Sequence, residues 1–161
     1  GPFLRRFGRQ RKSLTDKNVC FSLLEGDFFP KEFKMFEMQV KGTFDAAHHL
    51  RGYAGKCSRL HGHTWMVEMA VQGEALNELG MLVDFKDLNR LLQETLEPLD
   101  HRNLNDLPPF TSVNPTAENI AKYLYETLAP RPFFQRNGVR LSSVRVWESP
   151  HSSVRYSGEN S

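Results

Sequence analysis

From Phe36 onward the chain alternates apolar and polar residues with a period of two. Phe36, Met38, Val40, Phe44 and Ala46 fall on one side, and Glu37, Gln39, Lys41 and Asp45 largely on the other. Side chains of a strand leave alternate faces, so this pattern predicts a half-buried strand over about 35–48. Residues 49–60 hold Gly52, Gly55, three basic residues and Cys57 and read as a loop. Trp65, Val67, Met69 and Val71 then share one face of a second strand at about 61–73. The period changes after Asp84, a residue suited to capping a helix. Phe85, Leu88, Leu92 and Leu96 recur at three- and four-residue spacing until Pro98. A second helix is expected from Asn114, Pro115 and Thr116, burying Ile120, Ala121, Leu124 and Leu128 and ending before Pro130. Two closing strands, about 139–148 and 151–157, put Val144, Val146 and Glu148 on one face. The order is ββααββ: an α+β domain with an antiparallel four-stranded sheet and two helices on one face.

Residues 1–33 lack such patterning and are expected to form an N-terminal extension, leaving 34–158 as the domain. With 161 residues there is room for one domain and little for two. Five of the 21 basic residues lie in 1–12 with no acid, so the rest of the chain carries sixteen against nineteen acids, a net of −3. That tail reads as a solvated terminus rather than a nucleic-acid arm. No apolar run approaches the roughly 20 residues of a membrane span. Two cysteines, Cys20 and Cys57, make no disulfide framework, which favours a reducing cytoplasm.

Four of the six histidines lie between His48 and His63. His61 and His63 are two apart on a strand and leave the same face, while His48 extends the apolar face of the first strand. Three neutral imidazoles suit zinc and leave a fourth position open, the layout of a catalytic site. The same residues are also compatible with satisfied strand-end or core histidines. His49 points the other way. Cys57 lies in the loop with Lys56 and Arg59, whose charge favours the thiolate, although cysteine is also a common core residue. Asp100 followed by His101 joins a carboxylate to an imidazole able to shuttle protons near neutral pH, or is simply a surface pair. Glu148 either turns inward, where its carboxylate would accept two adjacent N–H donors, or reaches solvent from its strand end.

Six segments carry these residues in order: 44–48, 57–63, 83–85, 99–101, 114–118 and 147–148. Together they resemble the 6-pyruvoyltetrahydropterin synthase family, the tunnelling-fold pterin synthases, over residues 35–157. Ser58, Arg59 and Leu60 separate Cys57 from His61, a spacing similar to that of the bacterial 6-carboxytetrahydropterin synthases of the queuosine pathway. The resemblance implies zinc on His48, His61 and His63. It implies proton transfer by Cys57 and by His101, the latter oriented by Asp100, and pterin binding by Glu148 with Thr116 and Glu118. The implied substrate is 7,8-dihydroneopterin triphosphate, which would yield 6-carboxy-5,6,7,8-tetrahydropterin, acetaldehyde and triphosphate. A 6-pyruvoyl product is the sister alternative, and a catalytically inactive zinc-stabilised binding module is the alternative of another class. Lys56, Arg51 and Arg59 are triphosphate candidates by charge alone. The family also implies trimeric barrels stacked into a homohexamer, which agrees with the need of sheet edges for cover.

Overall fold

A computed structural model describes residues 34–158. The expected extension 1–33, including Cys20, lies outside the described residues.

Strands β1 (Phe36–His48) and β2 (His61–Gly73) are antiparallel partners along their whole length, from Phe36 opposite Gly73 to His48 opposite His61. The sequence continues with helix α1 (Phe85–Leu96), the two-residue strand β3 (Arg102–Asn103) and helix α2 (Ala117–Leu128). Helix α3 (Pro132–Arg136) and strands β4 (Arg140–Ser149) and β5 (Ser152–Tyr156) complete the domain. The sheet order is β3-β1-β2-β4-β5. It therefore has five strands rather than the expected four. The addition, β3, runs parallel to β1 and pairs only Ala46 and Ala47, too short a run to carry a period. Helix α3 is a second addition: five residues opened by Pro132 that bury Phe134.

Periodicity becomes packing along β1, where Val40, Gly42, Phe44, Ala46 and His48 are all buried and the intervening positions mostly exposed. Gly42 sits where α1 crosses the strand. A Cβ there would meet the Gln93 amide nitrogen at 2.8 Å, a Leu96 methyl at 3.0 Å and a Leu92 methyl at 3.3 Å. Only glycine allows the helix this close. The Asp84 side chain caps α1 by accepting from the Lys86 N–H, as its position before the apolar stripe suggests. The buried face of α1 is Leu88, Leu91, Leu92, Thr95 and Leu96. Phe85, expected in that stripe, lies in the first turn and is 56% exposed.

Both long helices cover one face of the sheet, α1 against β1 and α2 against β4 and β5. Trp65, Val67, Met69, Val144, Val146, Leu124 and Leu128 are fully buried between them. This core fixes the ends of β1 and β2, from which the histidines project.

Candidate metal and acid–base centres

His48, His61 and His63 continue the core face of β1 and β2 beyond Trp65. Their ring centroids are 4.5 to 5.0 Å apart, and Trp65 packs edge-on against His48 and His63 at 5.0 and 5.1 Å. The outer nitrogens are committed. His48 Nδ1 is 2.7 Å from the Pro115 carbonyl, and His61 Nδ1 is 2.7 Å from the Arg59 carbonyl. A carbonyl only accepts, so each Nδ1 carries the hydrogen and each Nε2 is left with a bare lone pair. Those two Nε2 atoms face each other at 3.0 Å. Two bare lone pairs repel, so the pair is arranged to share a cation, a proton or a metal ion. His63 Nε2 has no hydrogen-bond partner among the described residues, although the Glu148 carboxylate stands 3.8 Å away. Burial, the largest influence on both, holds His48 and His63 below the ordinary histidine value, which favours the neutral ligand form.

One nitrogen from each ring lies within 4.8 Å of the others. Two nitrogens about 2.0–2.1 Å from one zinc at the tetrahedral angle are roughly 3.3 Å apart, close to the observed separation. The donor set therefore fits zinc, and the carbonyl-held Nδ1–H groups supply the outer support typical of ligating histidines. The opposed Nε2 pair and the unpartnered His63 Nε2 favour a bound cation over self-satisfied core histidines.

Cys57 is half-buried in a short 3-10 turn, Lys56–Ser58. Side-chain amides fasten its loop. Asn105 accepts from the His49 N–H at 2.9 Å and donates to the His49 carbonyl at 3.0 Å. Asn114 does the same for Arg51 at 2.8 and 2.9 Å. Leu50, between them, donates its N–H to the Cys57 carbonyl at 2.8 Å. The two asparagines thus continue the ladder of β1 with side chains and carry the cysteine loop with it. Arg51, a triphosphate candidate by charge, ties the loop down, its guanidinium Nη2 donating to the Phe110 and Val113 carbonyls at 2.6 and 2.8 Å. Lys56 and Arg59 are exposed.

Asp100 and His101 point together rather than apart, with His101 Nδ1 2.8 Å from the Asp100 carboxylate. The Asp45 N–H donates to the other Asp100 oxygen at 2.8 Å, and this contact first, then His101, holds Asp100 below the usual carboxylate range. The Asp100 hydrogen bond in turn raises His101 above the ordinary histidine value. The cluster gathers around Asp45, whose side chain leaves the sheet opposite to His48, His61 and His63. Within one chain, then, the Asp45 side chain and the three histidine side chains leave opposite faces of the sheet. An open cleft of about 600 Å³ is lined by Asp45, Gly62, His63, Thr64, His101 and Asn103, so it reaches from the Asp100–His101 pair to His63. Gly62 leaves its floor clear: a Cβ there would meet only the Ala46 carbonyl oxygen, at 3.9 Å.

Among the substrate-binding expectations, Glu148 is brought to His63, and its side chain is 36% exposed. Thr116 caps α2 by accepting from the Asn119 N–H at 3.2 Å. Glu118 follows in the first turn, exposed. The pattern of the sequence does not reveal Asn105, Asn114 or the Pro115 carbonyl as supports. Their signal is only that turn-forming residues cluster in 105–116.

The chain is similar in sequence and in fold to known proteins. The sequence profile of the family described as 6-pyruvoyl tetrahydropterin synthase matches residues 37–159. A 6-carboxy-5,6,7,8-tetrahydropterin synthase of Bacillus subtilis is 35% identical over 126 residues, 75% of this chain and 84% of that protein. A 6-pyruvoyl tetrahydrobiopterin synthase of Homo sapiens is 38% identical over 109 residues, 65% of this chain and 72% of that protein. The solved structure of a Caenorhabditis elegans 6-pyruvoyl tetrahydropterin synthase superposes with a TM-score of 0.67 at 27% identity, covering 79% of this chain and 98% of that one.

Proposed function

The chain belongs to the 6-pyruvoyl tetrahydropterin synthase family, and from that premise we propose that it is a zinc-dependent lyase acting on 7,8-dihydroneopterin triphosphate. Its products on this reading are 6-carboxy-5,6,7,8-tetrahydropterin, acetaldehyde and triphosphate. The observation that carries the proposal is the opposed pair of Nε2 lone pairs of His48 and His61, with His63 unpartnered beside them. Zinc held by the three histidines would supply a Lewis acid for the side-chain hydroxyls of the substrate.

The chain's own residues supply binding and proton movement. Glu148, close to His63, offers a carboxylate to the paired N–H donors of the pterin edge, with the Thr116 and Glu118 segment alongside. Cys57, with Lys56 and Arg59 nearby in sequence, is assigned one proton-transfer position and His101 the other. Asp100 fixes the His101 tautomer by accepting from Nδ1, which leaves Nε2 to exchange the proton.

The histidines leave the sheet face opposite to Asp45, around which the Asp100–His101 pair gathers, and this supports an assembly in which one protomer's His101 serves the metal centre of its partner. Among the described residues, β3 covers only Ala46 and Ala47 of the β1 edge, and β5 is the other edge. Joining such edges into a barrel would remove both, in line with a homohexamer built on residues 34–158. A reducing, cytoplasmic setting suits an unbridged Cys57. No helix among the described residues is long and apolar enough to cross a membrane.

Identity to a human 6-pyruvoyl tetrahydrobiopterin synthase favours a second reading, in which the same centre makes a 6-pyruvoyl product. Incubating zinc-loaded protein with 7,8-dihydroneopterin triphosphate and identifying products by mass spectrometry separates the two. Acetaldehyde with the 6-carboxy product, lost in Cys57→Ala, is the expected result. A 6-pyruvoyl product moves the chain to the sister activity. Absence of turnover despite bound zinc leaves a zinc-stabilised binding module.

A further inference from the structure

We propose that Asp45 is a positioning residue for the Asp100–His101 pair, its carboxylate serving as a second acidic partner of the His101 imidazole. The inference rests on the acid–base role proposed above for His101.

Aspartate is disfavoured inside strands, and Asp45 stands within β1 on the outer face. It is exposed, yet its carboxylate is engaged. Thr64, its direct partner in the β2 register, donates its hydroxyl to Asp45 Oδ1 at 2.5 Å. Oxygens of Asp45 and Asp100 and a ring nitrogen of His101 lie within 4.8 Å of one another. The main chain of Asp45 holds the same two residues. Its N–H donates to Asp100 Oδ1 at 2.8 Å, and its carbonyl accepts the His101 N–H at 2.6 Å. His101 has φ 55, a left-handed conformation that a non-glycine residue keeps only where its surroundings over-determine it. Asp45 therefore fixes the turn that aims the imidazole and adds a charge beside it.

The other charged groups around His101 are Asp100, Glu97 in the preceding turn and Arg102 after it. The His101 side chain is 77% exposed, so neighbouring water screens each of these. Asp100 is held by the Asp45 N–H and by His101 itself, and the Asp45 carboxylate is likewise clamped, by Thr64. A carboxylate free to swing away from an exposed imidazole would contribute less.

The test is an NMR titration of the His101 ring in zinc-loaded wild-type protein and in Asp45→Asn, Thr64→Val and Glu37→Gln variants. The His101 resonance is assigned through His101→Gln. Asp45→Asn is expected to move the His101 midpoint to lower pH, and Thr64→Val to move it less in the same direction. Glu37→Gln removes an acid from the far end of the same strand face and is expected to leave the midpoint in place. The alkaline limb of the kcat profile is expected to move with the midpoint. An unmoved midpoint in Asp45→Asn overturns the proposal, as does an equal shift in Glu37→Gln. Should Asp45→Asn not fold, Thr64→Val and Asp45→Ser carry the same decision. The titration needs no turnover, so a protein that binds zinc but makes no product leaves this result standing and removes only the functional reading.

Discussion

Zinc should stabilise this protein by an amount that depends on His61. In the fold, His48 and His61 are held as Nδ1–H tautomers by two carbonyls, and their Nε2 atoms oppose each other at 3.0 Å. Folding creates this arrangement and the unfolded chain does not, so zinc binds the native state preferentially. One site filled at a hundredfold excess over its Kd adds about 2.7 kcal/mol. For a chain of 161 residues, each kcal/mol corresponds to about 2–4 °C in Tm. The expected rise on adding zinc to chelator-treated protein is therefore about 5–11 °C at that excess.

His61→Ala is the informative perturbation because His61 is only half-buried, whereas His48 is 1% exposed and its loss would also remove a buried hydrogen bond. His61→Ala should lose most of the zinc-dependent rise while changing the metal-free Tm little. His48→Gln, which keeps a polar group near Pro115, is the second variant. Calorimetry at one fixed protomer concentration, with metal content measured by atomic spectrometry, gives both readouts. One zinc per protomer and a rise abolished in both variants is the expected pattern. An undiminished rise in His61→Ala would place the ion elsewhere and refute the reasoning from tautomers.

Gly42→Val should destabilise the fold by about 1–3 kcal/mol through overpacking against Leu92 and Leu96, read as a lower urea midpoint with unchanged zinc content. Gly42→Ala should cost less, because the Gln93 amide can swing aside. The Asp100–His101 pair makes stability depend on pH at both ends. The raised His101 contributes fully below the ordinary histidine value, and its contribution is lost as pH rises through the raised one. The depressed Asp100 contributes above the ordinary carboxylate value and fades as pH falls through the depressed one. Asp100→Asn should flatten the profile at both ends, and urea midpoints that keep their pH dependence in that variant would disprove the pairing.

Strands β1 and β2 were legible because a long, half-buried antiparallel pair writes its face into every second residue, from Val40 to His48 and from Trp65 to Val71. The three histidines inherited that legibility by continuing the same face. What stayed hidden was set by single contacts rather than by a period. Strand β3 exists because Asp45 receives His101 and Ala46 and Ala47 pair with Arg102 and Asn103, over too few residues to repeat. Asn105 and Asn114 look like ordinary turn residues, and only the fold shows them extending β1 so that the Cys57 loop is carried in register.

The same alternation explains why the centre divides. Positions 46 and 48 of β1 face the helices, and position 45 between them faces away, so a catalytic apparatus anchored at the end of this strand is split across the sheet unless the chain bends. The chain does not bend there. Instead the left-handed turn at His101 brings the acid–base pair against Asp45, on the side that the helices leave open. A protomer arranged in this way presents a metal-ligand set on one face and a poised imidazole on the other. On the reading proposed above, a second copy supplies the missing half of the site. Mixed assemblies test this directly. Co-assembling His61→Ala with His101→Gln protomers should restore part of the activity that each variant lacks alone, because some boundaries then pair an intact metal set with an intact His101. If the mixture stays as inactive as its parents while exchange of protomers is verified by mass, each chain completes its own site and the two-face argument fails.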